Sequence, residues 1–217
     1  MAIVQFPPLE LADESGLLAQ GGDLEVPSLV LAYSQGIFPW PYSDYHPITW
    51  YSPDPRGILD YSDLHLSSSM KKFLKKNPYT VKFNEDFEEV ILGCAASTNR
   101  KGQDLEAMSS TWITRKMIEA YIALFYAGHA HCVAVYEKDE LVGGLYGVRL
   151  KKFYSGESMF YKKTNASKYA LLSLMENLHQ KGITWLDTQM VTPVVESLGG
   201  KEIARAEFLK RLAESLI

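Results

Sequence analysis

The chain has 217 residues, 47% hydrophobic and 12% aromatic, with a net charge of −4 and a calculated pI near 5.8. That is enough apolar material to bury a core in one large or two small domains. The acidic balance argues against a protein that coats nucleic acid over its whole surface. No run of about 18 apolar residues occurs. The start MAIVQFPPLELADESG has neither a basic leader nor an unbroken apolar stretch, so neither a membrane span nor a signal peptide is expected, and the chain reads as cytoplasmic. Cys94 and Cys132 are too few for a disulfide framework and sit in no spacing suited to zinc. Both are expected as buried apolar residues, and no metal is called for.

In chain order, LLAQGGDL places a turn at Gly21-Gly22-Asp23. Ser28 can cap a short helix, Leu29 to Gln35, which Gly36 would end. The next stretch, GIFPWPYSDYHPITWYSPDPRGIL, holds Pro39, Pro41, Pro47, Pro53 and Pro55 among its aromatic residues. Each proline removes a backbone donor, which speaks against a long helix or a central strand. The stretch reads as an irregular loop or edge, its rings either packed under the loop or set out as a stacking platform for a base. Between Leu64 and Asn84 there is no acidic residue, while Lys71, Lys72, Lys75, Lys76 and Lys82 all fall there. They form either a solvated helix face or a local phosphate-binding patch sized for an acceptor stem. Ser67 is the expected cap of that helix, with Met70, Phe73 and Leu74 as its apolar stripe. Strand Thr80 to Phe83 and helix Asp86 to Cys94, capped by Asn84, complete an α/β amino-terminal portion.

The polar segment Ser97 to Ser110 reads as a mobile surface loop and a domain boundary. It divides an amino-terminal domain, residues 1–96, from a carboxyl-terminal one, residues 111–217. Thr111-Trp112-Ile113-Thr114 should open a helix running to Ala127, with Met117, Ile118, Tyr121 and Phe125 on one face and Gly128 at its end. Strands His131–Glu137, Leu141–Leu150 and Phe153–Phe160 follow as an antiparallel meander. Then come a helix, Ser167 to Lys181, a short strand, Ile183 to Leu186, and a last helix, Ala206 to Leu216. The fold class is α+β, in an order that fits the acyltransferase fold of the GNAT type. The short strand delivers Asp187 and Gln189 to a loop at its carboxyl end, where α/β folds commonly place chemistry. A turn or cap role is the alternative for Asp187.

The blocks GGDL, GIFPW, SPDPR, GCA, TWIT, ELVGGLYG, GESMF, NASK, LDTQ and SLGG occur in the order found in bacterial leucyl/phenylalanyl-tRNA–protein transferases, and the chain resembles that family from about Leu17 to Leu212. The resemblance implies transfer of leucine, phenylalanine and to some extent methionine from aminoacyl-tRNA to an amino-terminal arginine or lysine of a protein, creating an N-degron. It implies no cofactor and a monomer. It also carries over residue roles: Asp187 and Gln189 of LDTQ and Glu157 of GESMF in the catalytic centre, and Trp40 of GIFPW and Trp112 of TWIT around the terminal adenine of tRNA. Leu145, Tyr154, Leu171, Leu174 and Leu186 match the aminoacyl pocket, and Lys71, Lys72, Lys75 and Lys76 match the acceptor-stem cluster. Two departures stand out: a longer segment over 96–110, and Val194 where family members commonly have histidine.

The donor ester needs little activation, since the attacking α-amine has an ordinary pKa of about 8. The site must align amine and carbonyl, take up a proton and return one to the leaving ribose oxygen. Gln189 does not titrate but can orient the amine, and Asp187 can supply negative charge. Three rivals remain at this level: a CoA-dependent N-acyltransferase, against which stands the lack of a Q/R-x-x-G-x-G/A phosphate loop; a tRNA- or peptide-binding protein without activity; and a family member with a different aminoacyl donor or an acidic amino-terminal acceptor.

Overall fold

The computed structural model describes residues 2–96 and 112–217. The loop and boundary expected over 97–110 lie outside the described residues. In chain order the elements are β1 (Leu17–Gln20), α1 (Val26–Ser34), β2 (Phe38–Pro39), β3 (Thr49–Tyr51), β4 (Arg56–Asp60), α2 (Ser68–Lys75), β5 (Tyr79–Phe83) and α3 (Phe87–Ala95). There follow α4 (Arg115–Tyr126), β6 (Ala130–Glu137), β7 (Glu140–Leu150), β8 (Phe153–Tyr161), α5 (Ala166–Gln180), β9 (Trp185–Gln189), α6 (Pro193–Glu196), β10 (Lys201–Ile203) and α7 (Arg205–Ser215). The protein is α+β, as its element order predicts.

A small sheet of order β1-β3-β2 stands beside a seven-stranded sheet of order β10-β4-β9-β8-β7-β6-β5. Pairing is antiparallel except between β8 and β9, which run parallel because α5 carries the chain across between them. β4 and β5 precede the expected domain boundary, yet they lie in the same sheet as β6 to β9. Along β6, alternation sends Cys132, Ala134 and Tyr136 into one core with residues of α1, α3 and α4, and Val133 and Val135 into a second core with α5. The large sheet is therefore covered on both faces. Cys94 and Cys132 are buried, as expected.

Caps explain where several helices start. Ser67 accepts from the Met70 N–H and Thr114 from the Met117 N–H, each closing a free donor of a first turn. Other sequence expectations need correction. The first helix starts at Val26, with Pro27 in its first turn and Glu25 as its N-cap. Ser28 lies inside it and donates to Asp23 Oδ1 while accepting from the Ile3 N–H. Asn84 does not cap α3; Asp86 holds that position in a left-handed conformation, and Asn84 Oδ1 accepts from the Cys132 N–H on β6. The proline-rich stretch does yield an interior strand. All of its prolines precede Arg56, so β4 keeps its donors and pairs with β9 on one side and β10 on the other. The strand expected to end at Leu186 runs on to Gln189, so Asp187 and Gln189 are strand residues.

Candidate active site

Two β-bulges build the centre. Between β7 and β8 the register passes from Tyr146 opposite Ser158 to Gly147 opposite Gly156, which leaves Glu157 as the extra residue. Between β4 and β9 it passes from Ile58 opposite Asp187 to Gly57 opposite Gln189, which leaves out Thr188. A bulge bends its strand and re-aims the side chains around it. Gln189 completes the second bulge at a φ of +61°, and the chain then passes so close to Gly57 that a Cβ there would stand 2.6 Å from the Met190 carbonyl carbon. Glycine at 57 is what lets the end of β9 turn inward.

The parallel contact of β8 and β9 sets Ser155 opposite Asp187. Asp187 is fully buried. Its Oδ1 accepts from Arg56 Nε at 2.8 Å and from the Gln189 N–H at 2.9 Å, and its Oδ2 accepts from Arg56 Nη2 at 2.8 Å and from Ser155 Oγ at 2.9 Å. Arg56 is itself buried, donates to the Gly36 carbonyl at 3.1 Å, and places its guanidinium 4.8 Å from the Phe38 ring centre and 4.4 Å from that of Phe208. A planar fork between carboxylate and aromatic faces is a geometry that lysine cannot reproduce. Sequence reading passed over Arg56. The signal that could have found it is a charged residue leading the apolar run Gly57-Ile58-Leu59, since a buried charge demands a partner.

Glu157, half-buried, receives Gln189 Nε2 at 2.8 Å and Ser155 Oγ at 3.4 Å on Oε1, and the Tyr121 hydroxyl at 3.2 Å on Oε2. The Tyr121 and Tyr33 hydroxyls bond to each other. Burial pushes the Glu157 carboxyl up to about 7, helped by the negative charge of Asp187 and opposed by hydrogen bonds from Tyr33 and Tyr121 and by the Arg56 charge. Burial and that carboxylate raise both tyrosines well above the ordinary phenol range, so they act as neutral donors. The structure thus brings Asp187, Gln189 and Glu157 together and adds Arg56, Ser155, Tyr33 and Tyr121. Burial also drives the Cys132 thiol up to about 12, which leaves no thiolate nucleophile there.

Trp40, just after β2, and Trp112, just before α4, meet with ring centres 5.6 Å apart and planes at 44°. Asp44 ties their two segments together. Its carboxylate accepts from the Arg115 and Lys116 N–H groups, each at 3.1 Å, and its carbonyl accepts from Lys116 Nζ at 2.7 Å. The Thr114 hydroxyl and those amides hold its carboxyl below the usual range. Leu145, Tyr154, Leu171, Leu174 and Leu186 are all buried in the core cluster on the α5 side. Lys71, Lys72, Lys75 and Lys76 are exposed on α2 and just beyond it. Val194 lies half-buried on α6. Among the described residues no group of three or more His, Cys, Asp and Glu is arranged to hold a metal, and no helix is long and apolar enough to cross a membrane.

The family model described as leucyl/phenylalanyl-tRNA protein transferase matches residues 58–213, and that of its N-terminal domain matches residues 22–54. Among curated proteins, the chain is 45% identical over 208 residues to the leucyl/phenylalanyl-tRNA–protein transferase of Shewanella baltica strain OS155, covering 96% of this chain and 84% of that one. The protein of the same name from Pseudoalteromonas atlantica is 47% identical over 98% of this chain and 88% of its own length. That from Pseudomonas fluorescens is 46% identical over 97% and 91%. Among solved structures, L-PGS from Bacillus licheniformis matches 77% of this chain and 52% of that one, with a TM-score of 0.41 and 14% identity.

Proposed function

Because the chain belongs to the leucyl/phenylalanyl-tRNA protein transferase family, we propose that it transfers leucine or phenylalanine from aminoacyl-tRNA to the amino terminus of a protein, acting as a monomer in the cytoplasm. The observation that carries this reading is the identity of about half of all positions across nearly the whole chain and most of each relative. The finer parts of the proposal are an acceptor that begins with Arg or Lys, methionine as a further donor, and marking of the product for N-degron breakdown. The part from α4 onward acts as a GNAT-like aminoacyltransferase domain, and the part that carries α2 as a smaller domain meeting the tRNA.

The site's geometry fits that chemistry. The neutral α-amine attacks the ester carbonyl carbon, a C–N bond forms, the amine proton passes to the Glu157 carboxylate, and the C–O bond to the ribose breaks as that oxygen regains a proton. A base with a pKa near 7 suits this step, being about half ionised at neutral pH and still able to return the proton. Gln189, its Nε2 engaged by Glu157, turns its amide oxygen to the incoming amine. Asp187 is a poor base here, because Arg56, Ser155 and the Gln189 N–H already occupy its lone pairs. Its role is to fix Gln189. Trp40 and Trp112 hold the terminal adenine, the cluster around Leu145, Leu174 and Leu186 receives the aminoacyl side chain, and Lys71, Lys72, Lys75 and Lys76 take acceptor-stem phosphates. A leucine-lined pocket separates near isosteres by only about 1–3 kcal/mol per methylene, which is why methionine belongs with the donors.

The test is direct transfer: purified protein, tRNA charged with radiolabelled leucine, phenylalanine or methionine, and peptides beginning with Arg, Lys, Asp or Gly. Label moving to the Arg and Lys peptides alone is expected. No transfer to any peptide would overturn the reading.

A further inference from the structure

We propose that Tyr121, backed by Tyr33, is the positioning device that keeps Glu157 ionised and aimed as the proton acceptor of transfer. The inference rests on the reading of Glu157 as the base and adds two residues to it. Glu157 is the extra residue of the β8 bulge, so the sheet gives it no ladder partner that would fix its side chain. Its two carboxylate oxygens are instead held from opposite sides. Gln189 holds Oε1, the single Ser155 proton going to Asp187 at the shorter distance, and Tyr121, which α4 contributes, holds Oε2.

A phenol has one proton to give. The two phenol hydroxyls bond to each other and both act on Glu157, so the donors to its carboxylate come from α1 and α4 together. A donor that itself accepts a hydrogen bond is a stronger donor. Both tyrosines are buried, at 1% and 0% exposure, so water does not replace either hydroxyl without rearrangement. The charged and titratable groups around Glu157 come from every neighbouring element: Arg56 on β4, Asp187 on β9, Tyr33 on α1, Tyr121 on α4 and Tyr146 on β7, whose ring meets that of Tyr121 at 5.5 Å. Arg56 is committed to Asp187, and Asp187 repels the charge on Glu157. The tyrosines, with Gln189, are the donors left to favour the carboxylate form.

Removing the Tyr121 hydroxyl should therefore make Glu157 easier to protonate and harder to aim. The experiment is a ¹³C-carboxyl NMR titration of the full chain, with the Glu157 signal assigned through Glu157→Gln, together with the pH profile of kcat/KM for transfer to an Arg-peptide. In Tyr121→Phe the Glu157 midpoint should rise by about one pH unit, the size of one lost hydrogen bond to a charged group. The enzyme's acid limb in the kcat/KM profile should move with it. Tyr33→Phe, which removes the other phenol acting on Glu157, should give a shift of the same sign, and it serves as well if Tyr121→Phe folds poorly. An unchanged midpoint in both variants, or lost activity without a moved limb, overturns the proposal and leaves the tyrosines as packing. Transfer at the wild-type rate by Glu157→Gln would instead overturn the base reading, and this inference with it.

Discussion

Arg56 closes on Asp187 through two parallel bonds of 2.8 Å, and the two side chains are 1% and 0% exposed. The pair joins β4 to β9 at the bulge that turns Gln189 inward. A buried ion pair of this kind stabilises less than its geometry suggests, because both ions give up their hydration, but breaking it from one side strands a charge. Asp187→Ala is therefore expected to abolish most transfer and also to cost about 3–5 kcal/mol of stability. The double variant Arg56→Met, Asp187→Leu should recover most of that stability while staying inactive. Urea unfolding of the single and double variants checks this. A double variant no more stable than Asp187→Ala would mean the pair contributes something beyond mutual charge compensation.

Glu157 carries the opposite burden. Its folded pKa, near 7, lies above the ordinary carboxylate value of 4.5, so the folded state binds the proton more tightly than the unfolded chain. For such a group the stabilising contribution is full below about pH 4.5 and is lost as pH rises through 7. The loss is on the order of 3 kcal/mol. Glu157→Gln should accordingly be more stable than the wild type at pH 8, with the difference closing by pH 4.5, and it should be inactive at both. Thermal unfolding at the two pH values reads this. A variant less stable at pH 8 would show that the carboxylate is fully compensated by its donors.

The fold was legible where a local rule governs. Ser67 caps the helix it was expected to cap, and alternating Val133 and Val135 marked β6. Asp187, Gln189 and Glu157 were legible through their motifs and meet in space. What could not be read were relations across the sheet. Arg56 and Asp187 are 131 positions apart, and Tyr33 and Tyr121 are 88 apart, so no local spacing joins them. β4 was obscured because its neighbouring prolines dominate the composition of that stretch, although none falls inside the strand. The bulges at Glu157 and Thr188 are invisible to a period-2 pattern, since each shifts the register by one residue.

The lysines of α2 offer a test that leaves the chemistry alone. They are exposed, and the helix has a single fully buried residue, Met70, so alanine at Lys71, Lys72, Lys75 and Lys76 should not unfold it. Each lysine seated on a duplex phosphate contributes about 0.9 to the slope of log affinity against log salt. The fourfold variant should bind charged tRNA more weakly and with a flatter salt dependence, yet transfer leucine from a minimal aminoacyl-adenosine at the wild-type rate. An unchanged salt slope would return the lysines to an ordinary solvated helix face.

Trp40 and Trp112 touch each other, with ring centres 5.6 Å apart. An adenine between two flat rings needs about 7 Å, twice the ~3.5 Å carbon contact distance. If the two indoles clasp the terminal adenine as proposed, they part by about 1.5 Å and turn toward parallel as the donor enters. Asp44 anchors the base of the Trp40 loop to the start of α4, so such a movement would fall on the two indole side chains. Trp112→Ala removes one stacking face, worth about 1–3 kcal/mol, and should raise the KM for aminoacyl-tRNA about 5- to 150-fold. The KM for the Arg-peptide and the order of acceptor preference should stay as they are. Steady-state kinetics with each substrate varied in turn distinguishes the cases. An unchanged donor KM would return Trp112 to the role of a packing residue, and a change in acceptor preference would place it at the other substrate.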